Sequence, residues 1–478
     1  MLRAEHITRD SSTGVQLLSG YGNRRGYALA SLLRRHPGRL APPQRRTLCC
    51  GLAMASAEAP RRRRIVTGMV QRKAEGAGEA AWQLLLLQRS QEVRSYQGRW
   101  ACVSGAVEAG EQPEAAMWRE MAEETGWAAG RDLELVRAGL PIDVDDAPAG
   151  AGKVYSFRVH PFLFRLRPDT ARPAPMLDWE HTGFQWLNPD ALKLMEGAGE
   201  TVPRLHDTLL RVWDPLAAVA GPEVLRARAA ALFADQTRGA SELAHEAVAL
   251  VLAGAQAESV AALRPTMVPL VNAARQAGEP GGGRVPAALD AALEEAVVAA
   301  AAALARCSSI ATLSRSSSVM GAVRRLVASG DSSLHTVFVS ESLPGGEGVA
   351  AAKMMAVDTG AQLLQGTRHA ESGGGGNSLT VALLTDERLE QLLADGGADA
   401  LVLGADAVLS DGSVVNKVGS ARLARACRQA TPPVAVVVVA DQFKTWDDTV
   451  PPCLEAAFEV VPADLVTELV GVSSPPSA

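Results

Sequence analysis

Glu120, Glu123 and Glu124 stand at i, i+3 and i+4, a spacing that puts three carboxylates on one face of a helix. Neighbouring carboxylates repel one another, so a stable helix avoids such a cluster unless a cation neutralises it. Oxygen-only donors with room left for water suit Mg²⁺ or Mn²⁺. Arg119, next in sequence, carries a planar fork that can hold a carboxylate through two hydrogen bonds. A solvated acidic helix face is the alternative, and most charge runs are that. Against it, further residues fall at fixed offsets around the glutamates. The pattern G-x5-E-x7-R-E-U-x-E-E-x-G-U, with U aliphatic or aromatic, is filled by Gly105, Glu111, Arg119, Glu120, Met121, Glu123, Glu124, Gly126 and Trp127.

The elements that must position these residues are legible nearby. Residues 113–124 read as a helix, with Pro113 in the first turn and Gly126 as the stop signal. Residues 65–70, 82–88 and 99–103 read as strands leading into it, and 154–166 and 183–186 as strands after it. A closing helix is expected over 203–212. This mixed order predicts an α/β/α sandwich.

The pattern from Gly105 to Trp127 resembles the box of the Nudix hydrolases, and the likeness covers roughly residues 65–212. The resemblance implies a loop–helix–loop that holds a divalent metal on a diphosphate, where the metal polarises phosphoryl oxygens and helps activate a water. It implies Glu120 and Glu124 as first metal ligands, with Glu123 and Gly105 in the metal set. Glu123 assists or acts as base, Arg119 joins the catalytic group, and Glu111 supports the loop. Glu180, in Trp179-Glu180-His181, resembles a further carboxylate that several members carry downstream as ligand or base; a surface glutamate on a loop is the alternative. Many members open the box with two glycines, where this chain has Ser104-Gly105. The substrate implied is a nucleoside diphosphate linked to another moiety. Its identity depends on loops outside the box, such as 142–153, which carry no selectivity motif.

From residue 222 to about 305 the chain is alanine-rich and helical. Short apolar runs follow at 336–339, 378–384, 400–403 and 434–439, as in buried parallel strands. A helical segment followed by a doubly wound, Rossmann-like sheet is therefore expected. The glycines at 373–376 lack the G-x-G-x-x-G spacing and make no dinucleotide fingerprint. Gly404-Ala405-Asp406-Ala407 and the run from Asp411 to Gly419 resemble the α/β/δ regulatory-subunit family of translation initiation factor 2B. Methylthioribose-1-phosphate isomerase and ribose-1,5-bisphosphate isomerase share that fold. Arg238-Gly239-Ala240, Arg264-Pro265-Thr266-Met267, Thr312-Leu313-Ser314-Arg315-Ser316, Glu341-Ser342-Leu343-Pro344 and Val466-Thr467-Glu468 extend the likeness.

That resemblance implies a pocket in which Arg238, Asp406, Asn416 and Lys417 meet a phosphorylated sugar or nucleotide, and a homo-oligomer. The isomerases pair a cysteine with the aspartate of G-A-D. Here Asp406 is kept, but Ser314 takes the cysteine's place, Leu343 replaces an arginine, and Val349 stands where a second basic residue often sits. A serine hydroxyl cannot do a thiol's proton transfer at neutral pH. The C-terminal half is accordingly expected to bind a phosphorylated metabolite or partner. An active aldose–ketose isomerase, which would make the chain bifunctional, and a translation-regulatory binding protein are the alternatives.

The 478 residues are too many for one core and divide as 1–60, 61–215 and 225–478. A net charge of -6 gives no reason to expect nucleic-acid or anionic-membrane binding. The six cysteines form no C-x-x-C pair, which argues against a disulfide framework or zinc site. No apolar run approaches the ~20 residues of a spanning helix. Between Ser11 and Ala57 arginines recur among Ser, Ala and Leu without one acidic residue. Such a composition predicts a plastid or mitochondrial transit segment, with a basic disordered tail on a cytoplasmic protein as the alternative.

Overall fold

A computed structural model describes residues 62–74, 82–146, 155–235, 238–330, 332–343, 345–365, 379–452 and 457–472. The expected transit segment, the glycines at 373–376 and residues 147–153 of the expected selectivity loop lie outside them.

The first sheet is built around β1 (Arg63–Lys73). It pairs antiparallel with β2 (Trp82–Arg89), beyond which lies β3 (Trp100–Ala101), and with β4 (Val103–Ala106). Helix α1 (Pro113–Thr125) follows, then β5 (Leu133–Ala138), β6 (Ile142–Asp146), β7 (Tyr155–Leu166) and β8 (His181–Leu187). β7 runs parallel to β1 and antiparallel to β5 and β6, while β8 pairs with β2. α2 (Ala191–Gly197) and α3 (Leu205–Leu210) close the unit.

Side chains alternate across a strand, and here both faces are apolar. Val66, Val70, Leu85 and Leu87 pack with Met117 and Met121 of α1. Met69, Leu84 and Leu86 pack with Leu192, Leu205 and Leu209 on the opposite face. The sheet is thus sandwiched between α1 and the α2–α3 pair. β6 departs from the expected loop: Ile-Asp-Val-Asp-Asp alternates apolar and acidic, with Ile142 and Val144 buried against Val159 and Phe157. Its period of two is a strand signal carried by residues that rank low for strand formation.

Helices α4 (Glu223–Ala234), α5 (Ala240–Leu252), α6 (Ala257–Ala261), α7 (Val268–Gly278) and α8 (Val285–Ala303) form the alanine-rich segment. The doubly wound part follows: β9 (Ser309–Thr312), α9 (Ser317–Ala328), β10 (Thr336–Ser340), α10 (Glu347–Thr359), β11 (Gln362–Gln365), β12 (Thr380–Leu384), α11 (Asp386–Ala394) and β13 (Ala400–Gly404). β14 (Ala407–Val408), β15 (Val414–Lys417), α12 (Ser420–Gln429), β16 (Ala435–Val439), β17 (Phe458–Val461) and β18 (Glu468–Val470) complete it. The main sheet is parallel in the order β11-β12-β10-β9-β13-β16-β18, and β14-β15-β17 form a small antiparallel sheet. Val337, Val339 and Val402 face one core, and Phe338, Leu401 and Leu403 the other. Burial on both faces is why these strands read as continuous apolar runs. Among the described residues no helix is long and apolar enough to cross a membrane.

Candidate active site

α1 starts at Pro113, whose missing N–H costs nothing in a first turn, and stops at Gly126 in the left-handed conformation, φ 70°. The helix carries the glutamates past the end of β4. Gly105 on β4 leaves the space that Glu120 fills: a Cβ there would lie 1.8 Å from the Glu120 carboxyl carbon. Arg119 reaches back to the loop, donating from Nε and Nη2 to Glu111 at 3.2 and 3.1 Å and from Nη2 to the Ala106 carbonyl at 3.0 Å. Its Nη1 donates to Glu120 at 2.7 Å, while Glu123 stays solvent-exposed at 3.5 Å. The Arg119 hydrogen bonds hold the Glu111 carboxyl below its ordinary range.

Glu124 points inward. The Ser104 N–H donates to its Oε1 at 3.1 Å. Its Oε2 has no hydrogen-bond partner and faces the equally unpartnered Nε2 of His181 at 3.5 Å. Burial raises the Glu124 carboxyl well above its ordinary range, and the charges of Glu120, Glu180 and Asp178 push it the same way. Burial also raises Glu120, where the nearby charges of Glu123 and Glu180 add to it against the pull of Arg119. Glu180 is raised by burial, then by Asp178. Burial lowers His181 although Asp178 holds its Nδ1 at 3.2 Å. Glu120, Glu123, Glu124 and Glu180 thus form one electrostatically coupled set.

The donors are all oxygens, one buried carboxylate oxygen is orphaned, and like charges crowd together; this chemistry fits a hard divalent cation. Among the described residues no three His, Cys, Asp or Glu side chains already converge as a metal cage. Glu120 and Glu180 open onto a cavity of about 730 Å³ beside Gly105, with Arg63, Arg94, Tyr96 and Phe157 also on its wall. Reading by motif missed those four, along with Asp178 and His181. The signal for Asp178 and His181 was present in the run Asp178-Trp179-Glu180-His181, while the other four come from strands and loops outside the box.

In the C-terminal half, Ser314, Glu341 and Asp406 follow β9, β10 and β13, three adjacent parallel strands, at their carboxyl ends. Ligands of open α/β sheets bind there. Lys417 pairs with Glu347 at 3.0 Å and lies over the Phe458 ring. Asn416 is buried and donates to the Ser420 hydroxyl at 3.0 Å. Arg238 pairs with Asp235 at 2.6 Å, and the other charges acting on it, Glu246 and Glu242, belong to the adjoining helix. Asn416 and Lys417 thus share the end of β15, while Arg238 sits at the start of α5. Ser314 and Ser342 both take left-handed backbone, φ 62° and 60°, and the Ser314 N–H donates to the Ser342 hydroxyl at 2.7 Å. Cys102, Cys307 and Cys427 are free thiols; burial lifts Cys427 to about 12.

Comparison with known proteins bears on both halves. The NUDIX domain model matches residues 62–205, and the initiation factor 2 subunit family model matches residues 253–449. The chain carries both domains. A search of curated proteins finds no match. Among solved structures, the chain is similar to the Pyrococcus horikoshii OT3 translation initiation factor eIF-2B at 21% identity and TM-score 0.42, over 54% of this chain and 98% of that one. It is similar to 5-methylthioribose 1-phosphate isomerase of the same organism at 17% identity and TM-score 0.36, over 52% of this chain and 82% of that one. A C. elegans Ap4A hydrolase is similar at 22% identity and TM-score 0.23, over 31% of this chain and 92% of that one.

Proposed function

We propose that the NUDIX domain is a metal-dependent pyrophosphohydrolase acting on a nucleoside-diphosphate-linked compound or a related diphosphate. The observation that carries this reading is the coupled set Glu120, Glu123, Glu124 and Glu180, two of whose members open onto a cavity with cationic and aromatic walls. Glu120 and Glu124, with Glu123, would hold Mg²⁺ or Mn²⁺ near Gly105. When bound, such a cation neutralises charge on the diphosphate oxygens and acidifies water.

The chain's own residues set the rest. Arg119 fixes Glu120, and the Ser104 N–H fixes one oxygen of Glu124. Glu180, half-buried on the cavity wall, is placed to accept a proton from water better than the exposed Glu123. Arg63 and Arg94 offer donors to phosphate, and Tyr96 and Phe157 offer faces for a base or sugar. The test is a panel of nucleoside-diphosphate compounds incubated with Mg²⁺ or Mn²⁺ and followed by ³¹P NMR. Cleavage of a phosphoanhydride bond is expected, and stability of every compound with both metals would reject the reading.

For the C-terminal domain we infer a self-associating module that binds a phosphorylated metabolite or partner at the strand ends holding Asp406, Asn416 and Lys417. Ser314 in the thiol's position favours binding over isomerisation.

A further inference from the structure

β6 and β7 contribute residues to two different cavities. Val144 and its partner Phe157 line the cavity beside Glu120. Asp143 and its partner Arg158, one residue along, line a second cavity of about 880 Å³ whose opposite wall belongs to the C-terminal half. At the entry to α3, Val202, Pro203 and Leu205 line the first cavity and Arg204 the second. None of Arg238, Asp406, Asn416 or Lys417 is on this second wall.

Arg158 on the wall of the second cavity is satisfied by Asp143, Asp447 and Asp448 at 2.9 to 3.3 Å. Arg204, Arg211 and Arg275 line the same cavity together with Glu258. Arg275 Nε meets one Glu258 oxygen at 2.6 Å and Arg211 Nη2 the other at 3.0 Å. Arg204 is held by Asp207 and by the Asp143 carbonyl. Arg211 is largely buried; burial first, then the charges of Arg275 and Arg204 against the pull of Glu258, lower its guanidinium from the ordinary range. Arg211 also donates to the Leu140 and Pro141 carbonyls at 3.3 and 3.1 Å, so the three guanidiniums are held in place by neighbours and offer an anion a preorganised set of donors. Guanidiniums match phosphate through paired N–H donors, and Trp446 supplies a flat apolar wall beside Arg275. The volume suits a small phosphorylated molecule.

We propose that this cavity binds a phosphorylated small molecule, with its phosphate at Arg204, Arg211 and Arg275 and its body against Trp446. Binding there acts on the hydrolase cavity through the β6–β7 pair. The regulatory half of this inference rests on the hydrolase reading, whereas the binding half does not. The test uses the full chain in EDTA, titrated calorimetrically with ribose 5-phosphate, AMP and inorganic phosphate. Ribose 5-phosphate or AMP is expected to bind more tightly than inorganic phosphate. Arg275→Gln, at a half-exposed position, should weaken binding by about tenfold or more without altering hydrolysis in the ligand's absence. Lys417→Gln should leave the Arg275-dependent binding unchanged, because a ligand held at the end of β15 is a separate event. Amide hydrogen exchange in β6 and β7 should slow when the ligand is present, a readout independent of any hydrolase activity. Absence of binding by all three probes overturns the site, as does binding lost in Lys417→Gln but kept in Arg275→Gln. Arg275-dependent binding with unchanged exchange in β6 and β7 overturns the coupling.

Discussion

The two halves of the chain handle charge in opposite ways. Around α1 burial, and then the charges of neighbouring carboxylates, raise Glu120, Glu124 and Glu180 above their ordinary range, and one buried oxygen has no partner. At the strand ends of the C-terminal domain the polar groups are matched: Lys417 with Glu347, Asn416 with Ser420, and Asp386 with the N–H groups of Ser342 and Leu343. Uncompensated like charge costs stability and persists where a ligand supplies the missing partner. Matched charge holds loops in place and needs no ligand. The contrast separates a site built for chemistry from one whose remaining polar groups are largely occupied by architecture.

The contrast breaks first at Glu124. Glu124→Gln keeps the shape but removes the charge that the Ser104 N–H orients. Turnover should fall by roughly two to four orders of magnitude if this group ligates the cation. Because the substitution also relieves repulsion, the melting temperature should hold or rise. A variant that retains full turnover on every hydrolysed compound would remove Glu124 from the metal set.

An unpartnered buried group that serves no ligand sharpens the comparison. His160 on β7 is buried, its Nε2 has no hydrogen-bond partner, and burial holds its pKa down to about 4 from 6.5, with the charges of Asp448 and Arg158 acting in opposite senses. The unfolded chain therefore takes the proton first as pH falls. The His160 contribution is fully present above 6.5 and is lost between 6.5 and about 4, a difference of roughly 3 kcal/mol. Urea denaturation at pH 7 and pH 4.5 should show wild type losing more stability than His160→Gln. Parallel losses in both proteins would show that His160 is protonated in the folded state.

A smaller effect is expected at Gly105. A methyl group there collides with the Glu120 carboxylate, which sits at the end of a flexible side chain and can move. Gly105→Ala should therefore displace Glu120 from Arg119 and lower kcat by about tenfold, with little change in unfolding midpoint. A large loss of stability with unchanged kcat per folded molecule would make Gly105 a packing residue only.

The box was legible because its chemistry is local: Glu111, Arg119, Glu120 and Glu124 are brought together by one loop and one helix. Most strands were legible because both sheets bury apolar runs, as in β10, β12, β13 and β16. β9 and β11 carry too few apolar residues to stand out, and β6 alternates with aspartates that face solvent and Arg158. The cavity walls were hidden for another reason. Arg63 and Phe157 meet through the parallel pairing of β1 with β7, and Arg94 and Tyr96 come from the loop between β2 and β3; no spacing records that. Arg238, which motif resemblance groups with Asp406, is paired with its near neighbour Asp235.

The last test asks whether the occupied site can still turn over, and the expected signal is none. Ser314 follows β9 in left-handed backbone, its N–H fixed by the Ser342 hydroxyl, so the hydroxyl is set at the strand end where Asp406 also lies. A serine hydroxyl at neutral pH is neither a useful acid nor a nucleophile unless a base activates it. Ribose 1,5-bisphosphate and methylthioribose 1-phosphate, incubated with the full chain and followed by NMR, should show no aldose-to-ketose conversion. Ser314→Cys should not restore it, because more than a thiol differs: Lys417 is held by Glu347, Asn416 by Ser420, and the exposed Leu343 offers no cation. Turnover by the wild-type chain that disappears in Asp406→Asn would overturn the non-catalytic reading. Turnover gained by Ser314→Cys alone would show that a thiol is all that separates binding from isomerisation at these strand ends, and the contrast between the two halves would reduce to one atom.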